Sequence, residues 1–206
     1  MKNRFRICAV ILFTVFAVSA CNKPQGIEFR SNGKVDYPLT AEDEAMLDSI
    51  QQKTLLFFLN EHHPEWGIVK DRAADWAPAS IASTGFGIPS LAVGVERNWI
   101  TREQAAQITV NILDYLIGSV QSADTSAAGY KGFYYHFLRL NTGTRAWRCE
   151  LSSVDTGLLM MGIIFARNYY NLDNDAESRI RSLAAMILER IDWNFMVMPD
   201  TGKYAN

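Results

Sequence analysis

Val154-Asp155-Thr156-Gly157-Leu158-Leu159-Met160-Met161-Gly162-Ile163-Ile164-Phe165-Ala166 carries one charge, on Asp155, and none after it. The stretch predicts a helix over 154–170. A helix that is apolar all round is expected to be covered on every side.

Its sequence neighbours have a different character. Over 102–117, Thr101 and Gln104 form a capping-box pattern, and Ala105, Ile108, Ile112, Tyr115 and Leu116 make one apolar face. Over 176–193, Ile180, Leu183, Ala184, Ile187, Leu188 and Ile191 form one face, opposed by Glu177, Arg179, Arg181, Glu189 and Arg190. Both are amphipathic. Further back, 81–97 has no charge before Glu96 and contains Gly85, Gly87, Gly94 and Pro89. These weaken a helix, and a buried strand is the rival. Helix is preferred, because small residues let buried helices approach closely; Pro89 then falls near its first turn or bends it. The first helix covers 41–59, capped by Thr40 with Asp43 three residues on and with Glu42, Asp43 and Glu44 in its first turn. Leu47, Ile50, Thr54, Phe57 and Phe58 make its apolar face.

The order is half-buried, buried, half-buried, buried, half-buried. A simple bundle makes every helix amphipathic. Alternation fits an all-α double ring, an α/α toroid, with a bundle around two central helices as the alternative. The connections 60–80 and 118–153 are long, whereas 98–101 and 171–175 are short. All long loops then fall on one face, at the start of the buried helices, and long loops in compact domains are usually functional. Within 118–153, the aromatic run 132–138, the turn Asn141-Thr142-Gly143-Thr144 and a return over 145–151 read as a β-hairpin at the mouth of the ring.

The chain has 206 residues, 49% of them apolar and 20% charged, with a net charge of −2. This is globular rather than disordered composition, and it excludes a strongly basic nucleic-acid binder. Lys2, Arg4 and Arg6 precede a mostly apolar stretch, 7–20, shorter than the roughly 20 residues of a membrane span. It fits a secretory signal over 1–20. Val18-Ser19-Ala20-Cys21 resembles a bacterial lipobox, in which the Cys is lipidated and becomes the mature N-terminus; ordinary cleavage near Ala20 is the alternative. Lipid on Cys21 implies a membrane-tethered protein of the bacterial cell envelope, periplasmic or outer-membrane. Residues 21–38, with Pro24, Gly26, Gly33 and Pro38, read as a tether. The domain is 39–206. With Cys8 and Cys21 accounted for, Cys149 is the remaining thiol and reads as a packed strand cysteine.

The loops hold the chemistry. The first carries His62, His63, Glu65, Asp71, Arg72 and Trp76; the second carries Tyr134, His136, Trp147 and Glu150; Asp155 opens the last buried helix. Flat aromatic faces beside carboxylates and arginine suit a carbohydrate, and also suit ordinary loop packing. Glycoside hydrolysis needs one protonated and one ionised carboxyl. Glu150, among Trp147, Leu151 and the hairpin aromatics, is expected to be desolvated, with a raised pKa suited to the acid. Asp155 in a helix first turn favours the ionised form and can orient water or a sugar hydroxyl, unless it serves as a cap. Asp71 with Arg72 can be a sugar contact or a loop ion pair. His62-His63-Pro64 does not place two ligands on a helix face, so no metal site is expected there. No phosphate-loop, dinucleotide, nucleophile-elbow or paired C-x-x-C pattern is present.

Several blocks resemble the bacterial glucoamylase-like domain proteins, which include β-1,2-glucanases. They are Gly67-Ile68-Val69-Lys70-Asp71-Arg72, Ser80-Ile81-Ala82-Ser83-Thr84-Gly85-Phe86-Gly87, and Glu96-Arg97-Asn98-Trp99-Ile100-Thr101-Arg102-Glu103. Gly132-Phe133-Tyr134-Tyr135-His136-Phe137, Glu150-Leu151-Ser152-Ser153-Val154-Asp155-Thr156 and Arg190-Ile191-Asp192-Trp193 follow in order. The resemblance implies an (α/α)6 toroid, hydrolysis of β-linked glucan with inversion where known, and pocket acids at Asp71 and within 150–155. Such proteins continue past the position of Asn206, so an incomplete toroid is expected, with little activity of its own. The expectation is a lipid-anchored glycoside hydrolase-like protein with an oligo- or polysaccharide substrate and neither cofactor nor metal. Its catalytic candidates are Glu150, Asp155 and Asp71; its substrate contacts are Arg72, Trp76, Tyr134, His136 and Trp147. A non-catalytic glucan-binding lipoprotein is the alternative.

Overall fold

A computed structural model describes residues 39–197. The signal stretch, Cys21 and the tether lie outside the described residues. Five helices account for most of the fold: α1 (Ala41–Asn60), α2 (Ile81–Glu96), α3 (Arg102–Gly118), α4 (Ser153–Tyr169) and α5 (Asp175–Glu189). Short strands sit in the two long loops: β1 (Ala79–Ser80), β2 (Gly129–Tyr130), β3 (Phe133–Tyr135), β4 (Phe137–Leu138) and β5 (Leu151–Ser152). A 3-10 turn, Trp193–Met196, follows α5.

The layering is the expected one. The inner helices α2 and α4 pack most extensively on each other, and the outer helices α3 and α5 pack together over them. The expected capping box of Thr101 with Gln104 forms, and the expected cap Thr40 makes a second one with Asp43. The inner pair meets through glycine. A Cβ on Gly85 would lie 2.7 Å from the Leu159 Cα and 2.8 Å from the Leu158 carbonyl oxygen, closer than real contacts allow. Gly162 packs on the Gly85 carbonyl in return. Pro89 lies inside α2 rather than near its first turn, and it has no N–H to give that carbonyl four residues back.

Three burial expectations are corrected. α4 is not covered all round: Val154, Met161, Ile164 and Phe165 form an exposed stripe, and on α2 Phe86 and Val93 are exposed. On α1, Leu47, Ile50 and Thr54 face solvent; of the expected face Phe58 packs against Gly87, and the helix docks beside it through Leu55 and Leu59. On α5, Glu177 is buried rather than opposed to the core. It takes a two-pronged hydrogen bond from Arg102 on α3, at 2.8 and 3.0 Å. That guanidinium holds the Glu177 carboxyl at about 2, against 4.5 when free. α5 also ends at Glu189, short of 193. Arg190 turns inward to bond the Leu116 and Ile117 carbonyls.

The two inner helices begin alike. Ser80 ends β1 and caps α2 through the Ser83 N–H; Ser152 ends β5 and caps α4 through the Asp155 N–H. Four residues on, the buried hydroxyls of Thr84 and Thr156 accept the N–H groups of Val69 and Tyr134, each at 3.0 Å. A glycine follows each threonine. The frame Ser-x-x-x-Thr-Gly therefore occurs at both starts.

The strand run 133–138 lies between these starts. β4 pairs antiparallel with β1, Ser80 opposite Phe137; β3 pairs antiparallel with β5, Tyr134 opposite Ser152. The expected hairpin is present but broken: Leu138 pairs with Arg145, after which the return leaves the ladder until Leu151. Trp147 stands in that interruption with φ +51°. Cys149 lies there too, its thiol hydrogen-bonded to the Phe137 backbone rather than held in a strand.

Candidate functional site

His136 occupies the joint between β3 and β4. Its N–H donates to the Glu150 carbonyl and its carbonyl accepts the Ile81 N–H. The side chain leaves on the same side as Glu150 and Asp155. His136 Nδ1 lies 2.7 Å from Glu150 Oε1 and 3.7 Å from Asp155 Oδ2. Ser152 closes the group, its hydroxyl donating to the Asp155 carboxylate while accepting the Asp155 N–H. Loop pairing thus delivers a histidine and two carboxylates to the first turn of an inner helix, whose partial positive end favours anionic groups.

The Glu150 environment differs from expectation. Its side chain is 60% exposed. Hydrogen bonding from its own backbone N–H and from His136 outweighs the small desolvation and holds the carboxyl below its usual value. The aromatics expected to bury it pack elsewhere: Phe137 stacks on His136 at 3.8 Å, and Trp147 stands edge-on to Phe137 at 5.8 Å. Asp155 is largely buried, with 14% of its side chain exposed.

Tyr134, read as a substrate contact, is fully buried. Its hydroxyl donates to the Leu116 carbonyl and accepts from Arg190, and burial pushes the phenol up to about 12. It supports β3 from behind and cannot touch a ligand. Asp71 stands apart from Glu150 and Asp155. It pairs with Arg72, and its N–H donates to the Pro78 carbonyl. The strand register sets it two strands and three residue steps from His136, on the order of 14 Å between backbones. The Arg72 guanidinium lies over Trp76, 5.6 Å from the ring centre. The site candidates therefore form two groups: His136, Glu150 and Asp155, and then Asp71, Arg72 and Trp76 with Trp147. His62 and His63 do structural work, the first on the Phe58 carbonyl and the second stacked on Trp66.

One donor atom from each of His136, Glu150 and Asp155 lies within 4.8 Å of the others, a set that could hold a divalent cation. The sequence reading missed this grouping, because 14 residues separate His136 from Glu150. It also missed Ser152, for which the repeated Ser-x-x-x-Thr-Gly frame was the available signal. A separate cavity, lined by Glu65, Trp66, Asp114, Tyr115 and Thr142 among others, contains none of the predicted site residues.

No protein-family model matches the chain. Over 165 residues it is 28% identical to the exo β-1,2-glucooligosaccharide sophorohydrolase (non-reducing end) of Parabacteroides distasonis, covering 77% of this chain and 22% of that protein. The chain thus spans about a fifth of the length of this curated relative. A proposed glucoamylase of Bacteroides uniformis, known as a crystal structure, superposes with a TM-score of 0.67 at 28% identity, over 79% of this chain and 39% of the other. The crystal structure of a β-1,2-glucanase from Parabacteroides distasonis also gives 0.67, at 24% identity, over 81% of this chain and 25% of the other. The resemblance to glucoamylase-like proteins is therefore carried by sequence and fold together, and the five helices are arranged as part of an α/α toroid.

Proposed function

We propose that residues 39–206 form part of a glycoside hydrolase acting on a β-linked glucan, with β-1,2-glucan the favoured substrate. The observation that carries the reading is the meeting of His136, Glu150 and Asp155 at the start of α4, built from a strand run that pairs with both long loops. The sophorohydrolase and glucanase relatives support the substrate class.

Glu150 transfers the proton. In the open site its carboxyl is ionised and held by His136. A bound glucan displaces water from it, and desolvation then raises the carboxyl toward the protonated state that a leaving glycosidic oxygen needs. Asp155, fixed by Ser152, holds a sugar hydroxyl. The oxygens of Glu150 and Asp155 lie within 4.8 Å, less than the roughly 6.5–9.5 Å between the carboxyls of an inverting pair. Inversion therefore takes its water-activating base from a carboxylate other than Asp155.

The coverage of longer relatives supports reading this chain as one part of a longer ring, with little turnover by the 206 residues alone. The lipobox-like end of the signal stretch supports a lipid anchor on Cys21 at the bacterial envelope.

The test is reducing-sugar release from linear β-1,2-glucan by protein expressed from the complete reading frame. Release abolished by Glu150→Gln and unaffected by excess EDTA is the expected result. Loss on chelation would assign His136, Glu150 and Asp155 to a cation instead. Binding without turnover would favour a non-catalytic glucan-binding lipoprotein, a reading to which the exposure of Glu150 lends some weight.

A further inference from the structure

A second grouping lies beyond Phe137 and His136 from Glu150. Trp76 and Trp147 flank a groove of about 340 Å³, with Asp75, Pro78, Arg139 and Asn141 around it. That volume lies in the range of small-ligand clefts, about 300–1,000 Å³. The indoles are 69% and 60% exposed, among the most exposed large apolar side chains described. They come from different long loops and meet because β1 pairs with β4 and Leu138 pairs with Arg145.

Trp147 adopts φ +51°, a left-handed conformation that a bulky side chain rarely takes. Backbone strain of this kind persists where the surroundings fix it, and it clusters at ligand clamps. Here the strained residue presents its ring to the groove instead of folding it into the core. Phe137 braces its edge, and the Arg72 guanidinium lies over Trp76. Arg139 is held over the groove by donating to the Arg145 carbonyl.

We propose that this groove is a binding subsite for a glucosyl unit of the glucan, separate from the point of cleavage. The inference rests on the glucan reading above and deepens it. The flat C–H face of a pyranose ring lies against indole, as apolar surfaces do. Its hydroxyls meet the Asp75 carboxylate, the Arg139 guanidinium and the Asn141 amide. The row Trp147, Phe137, His136, Glu150 joins the groove to the proton-transfer group through steps of 5.8, 3.8 and 2.7 Å. A chain with a unit in the groove extends past Glu150, so the groove selects longer glucans.

Tryptophan fluorescence titrated with β-1,2-glucooligosaccharides of two to five units tests this on the full chain. Saturable quenching is expected, with affinity falling about tenfold in Trp147→Ala and in Trp76→Ala while their melting temperatures stay near the parent's. Trp147→Gly, which relieves the positive φ, is expected to melt higher than the parent and bind as weakly as the alanine variant. In protein from the complete reading frame, both alanine variants raise KM for long glucan and leave kcat unchanged. Absence of quenching, or parental affinity in both folded alanine variants, overturns the subsite. Tryptophan-dependent binding in a protein that hydrolyses no β-glucan keeps the subsite and removes the hydrolase reading. Hydrolysis abolished by Glu150→Gln but indifferent to both tryptophans does the reverse.

Discussion

The starts of α2 and α4 are built to one plan and put to different use. Each follows a strand, is capped by its serine, and buries a threonine hydroxyl under a loop N–H. They differ at the third helical position, Ser83 in α2 and Asp155 in α4. They differ again at the glycine: Gly85 is pressed against α4, whereas nothing lies within 4 Å of a Cβ added to Gly157. The frame therefore belongs to the fold. The carboxylate, with the histidine and glutamate beside it, is what one start adds for chemistry.

The comparison breaks most visibly at Asp155. Asp155→Ser makes the second start a copy of the first. Turnover by protein from the complete reading frame is expected to fall about 100-fold or more, with stability changed by less than about 1 kcal/mol. An equal loss from Ser83→Ala would show that the two starts are not functionally distinct.

A second test removes a support that lies outside both starts. Glu177 is held at about 2 when folded, against 4.5 when free. Its contribution is complete above pH 4.5 and lost as pH falls from there through 2. A loss of about 3 kcal/mol is expected over that window in denaturant melts, and Arg102→Met should flatten it.

The glycines separate next. Gly85→Ala should cost at least about 2 kcal/mol by overpacking, whereas Gly157→Ala should gain up to about 1 kcal/mol from helix propensity. Similar signs at both would dissolve the distinction. Smallest and most alike, Thr84→Val and Thr156→Val should each cost about 1–2 kcal/mol, because a buried N–H loses its acceptor. A difference above 1 kcal/mol between them would show that the shared frame is only nominal.

The helices were legible because their signals are local. Thr101 with Gln104 and the charge-free run after Asp155 place the ends of α3 and α4 to within a residue. What failed depended on partners far along the chain. Glu177 reads as a surface acid until Arg102, 75 residues earlier, is brought against it. Glu150 sits among aromatics in sequence, yet those rings stack on His136 and on each other, leaving the carboxyl in water. Tyr134 reads as a loop aromatic, but the β3–β5 pairing turns it into the core. The tryptophan groove needed the cross-loop pairing of β1 with β4, which no periodicity announces. The exposed stripe on α4 escaped for the opposite reason: composition records that a helix is apolar, not which neighbours it has.

The backbone of His136 bonds to both helix starts, through the Ile81 N–H on one side and the Glu150 carbonyl on the other. That arrangement has a consequence for hydrogen exchange. Opening the strand run releases the amides of Ile81 and His136 in one event, so their protection factors should rise and fall together. A ligand clasped by Glu150 would then slow exchange at the start of α2, a helix it never touches.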